Sequence, residues 1–327
     1  PSFLPAMNKD TPRNRLGMAQ WLVDPDHPLT ARVAANRHWQ TIFGRGLTDS
    51  PSDFGAQGSW PTHPGLIDWL AADFRDNGWD VKRAIKQIVS SATYRQSSRT
   101  TEQLLAKDPV NLHYARAPRF RIMGEFVRDN ALAISGLLNR KFGGSGVKPY
   151  QPPGLWVEVS LSGGRKFIRD KGENLYRRSM YTYWKRSAPQ PALMAFDTPS
   201  RETCVLQRQR TNTPMQALVT LNDDQFVEAS RHFARRILQS ERKTFEDKLN
   251  FAFEWATGRP ADQLRIDVLK RIHEEQSKTF KENPTQADEF LSVGESPRDT
   301  KLDPYEHATW TLIASMILNL DETMNRE

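Results

Sequence analysis

The chain has 327 residues, 38% hydrophobic and 26% charged, with a formal net charge of +7, which is apolar content enough for one large or two ordinary folded cores. Charged residues interrupt every apolar patch well before the roughly 18–20 residues that cross a bilayer, so no membrane span is expected. The single cysteine, Cys204, excludes an internal disulfide, an all-thiolate zinc site and a covalent C-x-x-C-H haem attachment; it reads as a small buried side chain.

Helical periodicity dominates the first hundred residues. Residues 14–23 predict a helix ended by Asp24-Pro25. Thr30 is expected to cap a second, with Val33, Ala34, Arg37 and Ile42 recurring near 3.6 and Gly44 closing it. Thr62 is expected to cap a third helix with Leu66, Leu70 and Phe74 on one face, and Asp80 a fourth carrying Val81, Ile85, Ile88 and Val89. Residues 119–138 predict a further helix that turns Phe126, Ala133 and Leu137 inward and pays for Gly124 in its interior. From 147 to about 210 the periodicity changes: Pro149, Pro152, Pro153 and Gly154 mark turns, and Leu155–Leu161 alternates as a short strand. Helices resume at Thr213, expected as the N-cap of a capping box with Gln216, and continue from Asp223 or Asp224 on Phe226, Phe233 and Ile237. Segments 245–257, 262–280 and 304–320 follow, with a polar linker at 283–303. The fold class is therefore mainly α, a multi-helix bundle-like domain with an irregular central insert containing a small β-element. Its parts are an N-terminal helical region 1–146, the insert 147–212 and a C-terminal helical region 213–327, read as one continuous structural unit.

Charge is divided along the chain: 20 basic and 13 acidic side chains in 1–150, 11 and 5 in 151–216, 12 and 18 in 240–327. The basic part can draw an acidic ligand or partner, or hold the acidic tail, with an attraction that fades as salt rises. None of the seven histidines has the i,i+4 spacing of a helical zinc motif, the Asp24–Asp26 and Asn222–Asp224 runs lack calcium-loop spacing, and no metal site is expected. Hydrolase elbow, Walker loop and dinucleotide fingerprint are all missing. Asn36 and Gln40 share a helix face that either reads a ligand or ties the helix to loop carbonyls. His63 could act as a base only if Asp53 folded back onto it.

The densest concentration of binding chemistry lies in the insert. Arg177, Arg178 and Arg186 flank Tyr181, Tyr183 and Trp184, while Arg201, Arg208, Arg210 and Asn212 precede the helix start at Pro214. Guanidinium forks beside aromatic plates suit planar anions, sugar rings or stacked bases. The expected ligand-binding residues are Arg177, Arg178, Tyr181, Trp184, Arg186, Arg201, Arg208, Arg210 and Asn212, with internal bracing as the competing role.

The blocks NRLGMAQWLVDPDHPLTARVAANRHWQTIFGRGL, SDFGAQGSWPTHPGLIDWLAADF, YRRSMYTYWKR, FDTPSRETC and RTNTPMQALVTLND resemble a planctomycete-specific domain family of unknown function, the PSD type, found C-terminal to cytochrome-c-like domains in exported bacterial proteins. The resemblance implies a mostly helical module of a longer protein in the periplasm or cell envelope. It places any haem c in the parent's N-terminal part, with no cofactor expected here. Expected partners are the parent's own N-terminal domains and an anionic polysaccharide, with nucleic acid last. Two other classes remain open: a hydrolase or lyase acting on polysaccharide through a carboxylate pair such as Asp53 and Asp197, and an electron-transfer accessory that docks a haem domain.

Overall fold

Asn14 opens the first helix: its side chain accepts from the Gly17 amide at 3.2 Å, and the helix, α1, runs Arg15–Leu22. In the computed structural model, which describes residues 3–160 and 166–326, the chain divides after Phe120 into two units. Up to Phe120 the elements after α1 are α2 (Thr30–Phe43), α3 (Pro64–Asp76), α4 (Val81–Val89) and α5 (Glu102–Lys107). Asp80 caps α4 by accepting from the Arg83 amide at 3.0 Å. Thr30 does not cap α2: it is the first helical residue, and its hydroxyl lies 3.0 Å from His27 Nδ1. Nor does Thr62 cap α3, which begins after His63 with Pro64 at its first position.

The buried stripe of α2 is Ala31, Ala35, Trp39 and Phe43, one register away from the expected Val33, Ala34 and Arg37. Trp39 stacks on Phe43 with centroids 4.2 Å apart, and Tyr114 meets both rings edge-on. Asn36 is fully buried and accepts from the Thr48 amide at 3.0 Å. That is the structural role for this face, a tie between helix and loop. Asp53 accepts from the Gly55 amide at 2.7 Å while His63 Nδ1 faces the Thr62 hydroxyl, so each has a local partner and no bond joins the two among the described residues.

The second unit, Arg121–Arg326, opens with α6 (Gly124–Ser135). Gly124 is its first residue rather than an interior one, and a Cβ there would lie 2.8 Å from Phe196 Cβ, so glycine is what lets the helix start approach that loop. Val127, Ala131, Leu132 and Ile134 of α6 face inward, whereas Phe126, expected inside, is exposed. Next come α7 (Leu155–Glu158), 3₁₀ turns at Gly172–Tyr176 and Ser179–Tyr181, and α8 (Pro191–Ala195). The expected strand over Leu155–Leu161 is therefore a single helical turn at 155–158, entered through Gly154 at φ +88°, and Leu161 lies outside the described residues. Among the described residues, the β-character of the insert reduces to parallel bridges of Asn139 with Arg177 and Val147 with Thr182.

The helices that follow are α9 (Pro214–Asn222), α10 (Asp224–Leu238), α11 (Phe245–Thr257), α12 (Gln263–Glu282), α13 (Pro284–Ser292), α14 (Pro304–Leu318) and α15 (Asp321–Met324). Strands β1 (Phe120–Arg121) and β2 (Asn325–Arg326) make one small sheet, held within this unit by the Ile122 amide donating to the Met324 carbonyl. The molecule is thus mainly α. Where a linker was expected, α13 forms, because Pro284 occupies the tolerated first helical position and Ala287 and Leu291 bury against Phe280 and Ala308. Thr213 makes no side-chain cap; Gln216 turns back to donate to the Ala195 and Thr211 carbonyls at 3.0 and 3.2 Å. The main core gathers Phe233 and Ile237 of α10, Leu249 and Phe253 of α11, and Trp310, Ile313 and Ile317 of α14. Because α10 and α14 are buried nearly all round, the polar residues they carry must find partners inside.

Candidate ligand-binding surface

Arg128 on α6 anchors the insert. Fully surrounded, it donates to the carbonyls of Leu175 at 2.6 Å and Arg177 at 2.8 Å, to Ser179 Oγ at 3.2 Å and to Gln225 Oε1 at 2.5 Å. Burial, opposed by Asp129 and Asp223, brings its pKa down to about 10. Next to it Asp129 accepts from both the amide and the hydroxyl of Ser179 at 2.7 Å, and burial raises its carboxyl. These bonds fix residues 175–181 against α6.

Arg177 is buried and spends its fork on the carbonyls of Lys141, Gly143 and Ser145, with its guanidinium 3.9 Å above the Tyr181 ring. It is a brace. Arg178 differs: its guanidinium lies 5.7 Å from the Tyr181 ring and 5.9 Å from that of Phe142, and its Nε has no acceptor among the described residues. The Tyr181 hydroxyl accepts from the Gly143 amide at 2.8 Å, a bond that, with Arg178 and Arg177 alongside, lowers its pKa. Further along, Arg201 sits 4.6 Å over the Trp184 ring, and the indole donates to the Ser200 carbonyl at 2.8 Å. Arg201 adopts φ +63°, in the left-handed region, and Arg186 pairs with Glu202 at 3.1 Å while its side chain stays 73% exposed.

The remaining predicted residues go elsewhere. Arg208 pairs with Glu125 of α6 at 2.7 Å. Arg210 is partly desolvated next to Arg121, and both effects lower its pKa. Asn212 is exposed. The nine residues thus separate into a group around Tyr181, a group around Trp184, and Arg208, Arg210 and Asn212 near the starts of α6 and α9. Asp197, half of the expected carboxylate pair, accepts from Arg121 and from the amide and hydroxyl of Thr211 at 2.8 and 2.9 Å, so its oxygens hold a turn together. Cys204, expected to be buried, is exposed.

Two clusters escaped the sequence reading. At the first, Glu228 lies fully buried on α10. Its carboxylate accepts from the Tyr150 hydroxyl at 2.8 Å, the Tyr176 hydroxyl at 2.9 Å, and the Ser296 amide and hydroxyl at 2.7 and 2.6 Å, with Arg231 at 3.6 Å. Burial and the carboxylate push Tyr176 up to about 12 and Tyr150 higher still, which keeps both as donors. Tyr176 also lines a surface hollow of about 430 Å³ with Leu137, Leu138, Asn139, Arg140 and Glu173. The second cluster sets Lys148 and Lys185 against the rings of Trp156 and Tyr183. No single sequence block contains either one, since their members come from segments up to 146 positions apart.

Two groups in this unit titrate in opposite senses. Burial raises the Asp223 carboxyl from 3.8 to about 6, so its contribution to stability is full below pH 3.8 and is lost as pH rises through about 6. Burial, with Arg235 and Arg231 nearby, lowers His232 from 6.5 to about 4, so its contribution is full above pH 6.5 and is lost as pH falls towards 4. Between these limits the slopes oppose one another. Asp223→Asn keeps the acceptor that caps α10 but removes one slope; urea titrations should show about 1–2 kcal/mol more stability at pH 7 and a steeper acid loss. An unchanged pH profile would refute this.

Among the described residues, no group of three His, Cys, Asp or Glu side chains could hold a metal ion, and no helix is long and apolar enough to cross a membrane. No curated protein and no solved structure matches the chain. A family model does match, over residues 14–273, which is most of the chain. On that match the chain belongs to the PSD1 family, proteins of unknown function (DUF1553).

Proposed function

We propose that this chain is a helical module of a larger exported, cytochrome-c-associated protein, and that its insert presents a cationic, aromatic-backed surface to an anionic polysaccharide. One observation carries the reading. Of the predicted arginines, Arg178 and Arg201 lie against aromatic rings, the Nε of Arg178 has no acceptor among the described residues, and Arg186 gives Glu202 one bond from an exposed side chain. A guanidinium held over a ring retains its in-plane N–H donors for a carboxylate or sulfate, while Tyr181 and Trp184 limit the entropy lost on binding. The working residues are then Arg178, Tyr181, Trp184, Arg186 and Arg201, with Arg177 and Arg208 as supports. With Asp197 saturated, binding is favoured over carboxylate-pair hydrolysis.

The test is binding of polygalacturonate, with uncharged dextran as control. Wild type is expected to bind only the former, and less as salt rises. Arg178→Ala with Arg201→Ala should weaken binding by at least about tenfold, the worth of one charge-assisted hydrogen bond, without altering the melting temperature. Unchanged affinity, or affinity for dextran, overturns the reading.

A further inference from the structure

We propose that Lys148, Lys185 and Trp156 form a second, separate site that takes a compact oxyanion, a carboxylate or sulfate ester carried on a sugar ring. The backbone brings these residues together: the Val147 amide donates to the Tyr181 carbonyl at 2.8 Å and the Tyr183 amide to the Val147 carbonyl at 2.7 Å, which sets Lys148 beside the 181–185 segment. Asp170 holds the other side, accepting from the Lys148 amide at 2.9 Å and donating its own amide to the Lys148 carbonyl at 3.0 Å. Trp156 of α7 then packs against Tyr183 and Phe167, with centroids 5.9 and 5.4 Å away.

Two ammonium groups face this one indole. Lys185 Nζ lies 4.6 Å from the ring centroid and Lys148 Nζ 5.8 Å, the latter also 5.5 Å from the Tyr183 ring. Lys185 Nζ is sealed from solvent and has no hydrogen-bond acceptor, and the Nε1 of Trp156, itself 9% exposed, is in the same condition. Neither lysine has a carboxylate partner among the described residues. A dehydrated ammonium with three unused donors is costly, and ring faces offset only part of its lost hydration. Both orphaned groups are donors and one is a cation, with the Lys148 ammonium at the same indole, so the ligand that completes them is an acceptor bearing negative charge. Tyr183, 49% exposed, offers an accessible ring face on which the sugar can stack.

The experiment is isothermal titration of the whole chain with D-galacturonate, glucose 6-sulfate and glucose at constant ionic strength. Galacturonate, the sulfate ester or both should bind and glucose should not; the preferred one identifies the oxyanion. Lys185→Met should lower affinity at least tenfold while its melting temperature holds or rises, because a dehydrated charge is removed. If that variant does not fold, Lys148→Gln replaces it and should show the same loss. The Arg178→Ala, Arg201→Ala chain should keep monosaccharide binding, which separates failure of this site from failure of the arginine surface. No response to either anion, or wild-type affinity in the lysine variants, overturns the proposal and leaves Lys185 as an internal strut.

Discussion

Glu228→Ala is expected to cost the second unit about 3–5 kcal/mol of stability in urea denaturation, the range for stripping one partner from a buried charged network. The substitution leaves the hydroxyls of Tyr150 and Tyr176, the amide and hydroxyl of Ser296 and the nearby Arg231 without their shared acceptor. Each buried donor so orphaned carries its own desolvation cost. Gly294 keeps the adjoining turn tight: it sits at φ +96°, and a Cβ on it would approach Glu228 Cδ to 2.5 Å. Glu228→Gln preserves the shape and some of the acceptors and should lose less, about 1–3 kcal/mol. A loss under about 1 kcal/mol for the alanine variant would mean that water enters and takes the carboxylate's place.

Arg128→Met should be comparably severe, about 3–5 kcal/mol, with a more local signature. Methionine fills much of the same space but donates nothing, so the Leu175 and Arg177 carbonyls, Ser179 and Gln225 Oε1 lose their common donor. Amides of residues 172–181 should then lose exchange protection before those of α10 and α14 do, because the arginine ties the insert to α6. The same variant should weaken polygalacturonate binding through disorder of Arg178, although it removes no ligand contact. Uniform loss of protection across the unit would show that Arg128 serves the core instead.

Most helices were legible because their ends are written in local chemistry. Asp80 does cap its helix, and Gly44 does close its own in the left-handed region. Misreadings came where tertiary contacts outbid a local rule. Gln216 forgoes the capping box for Ala195 and Thr211, α13 forms across an apparent breaker because Ala287 and Leu291 bury, and the alternation at 155–158 closes into a turn. The arginine-rich insert was visible from composition, but its division of labour was not. Whether a guanidinium is spent depends on carbonyls such as Gly143, 34 residues from Arg177, or on carboxylates such as Glu125, 83 residues from Arg208. Glu228 sits between Phe226 and Phe233 beside Ser230, Arg231 and His232, a mixture that reads as an ordinary amphipathic helix, so nothing nearby signals its two tyrosines.

The family match stops at His273, in the middle of α12, yet the ring of His273 lies 5.4 Å from Trp310, which belongs to a helix beyond that point. Trp310, Ile313 and Ile317 cover Phe233, Ile237 and Phe253. A protein trimmed to the matched segment would expose those side chains to water. The shortest stretch able to shield its own oily interior is therefore longer than the stretch that kinship outlines.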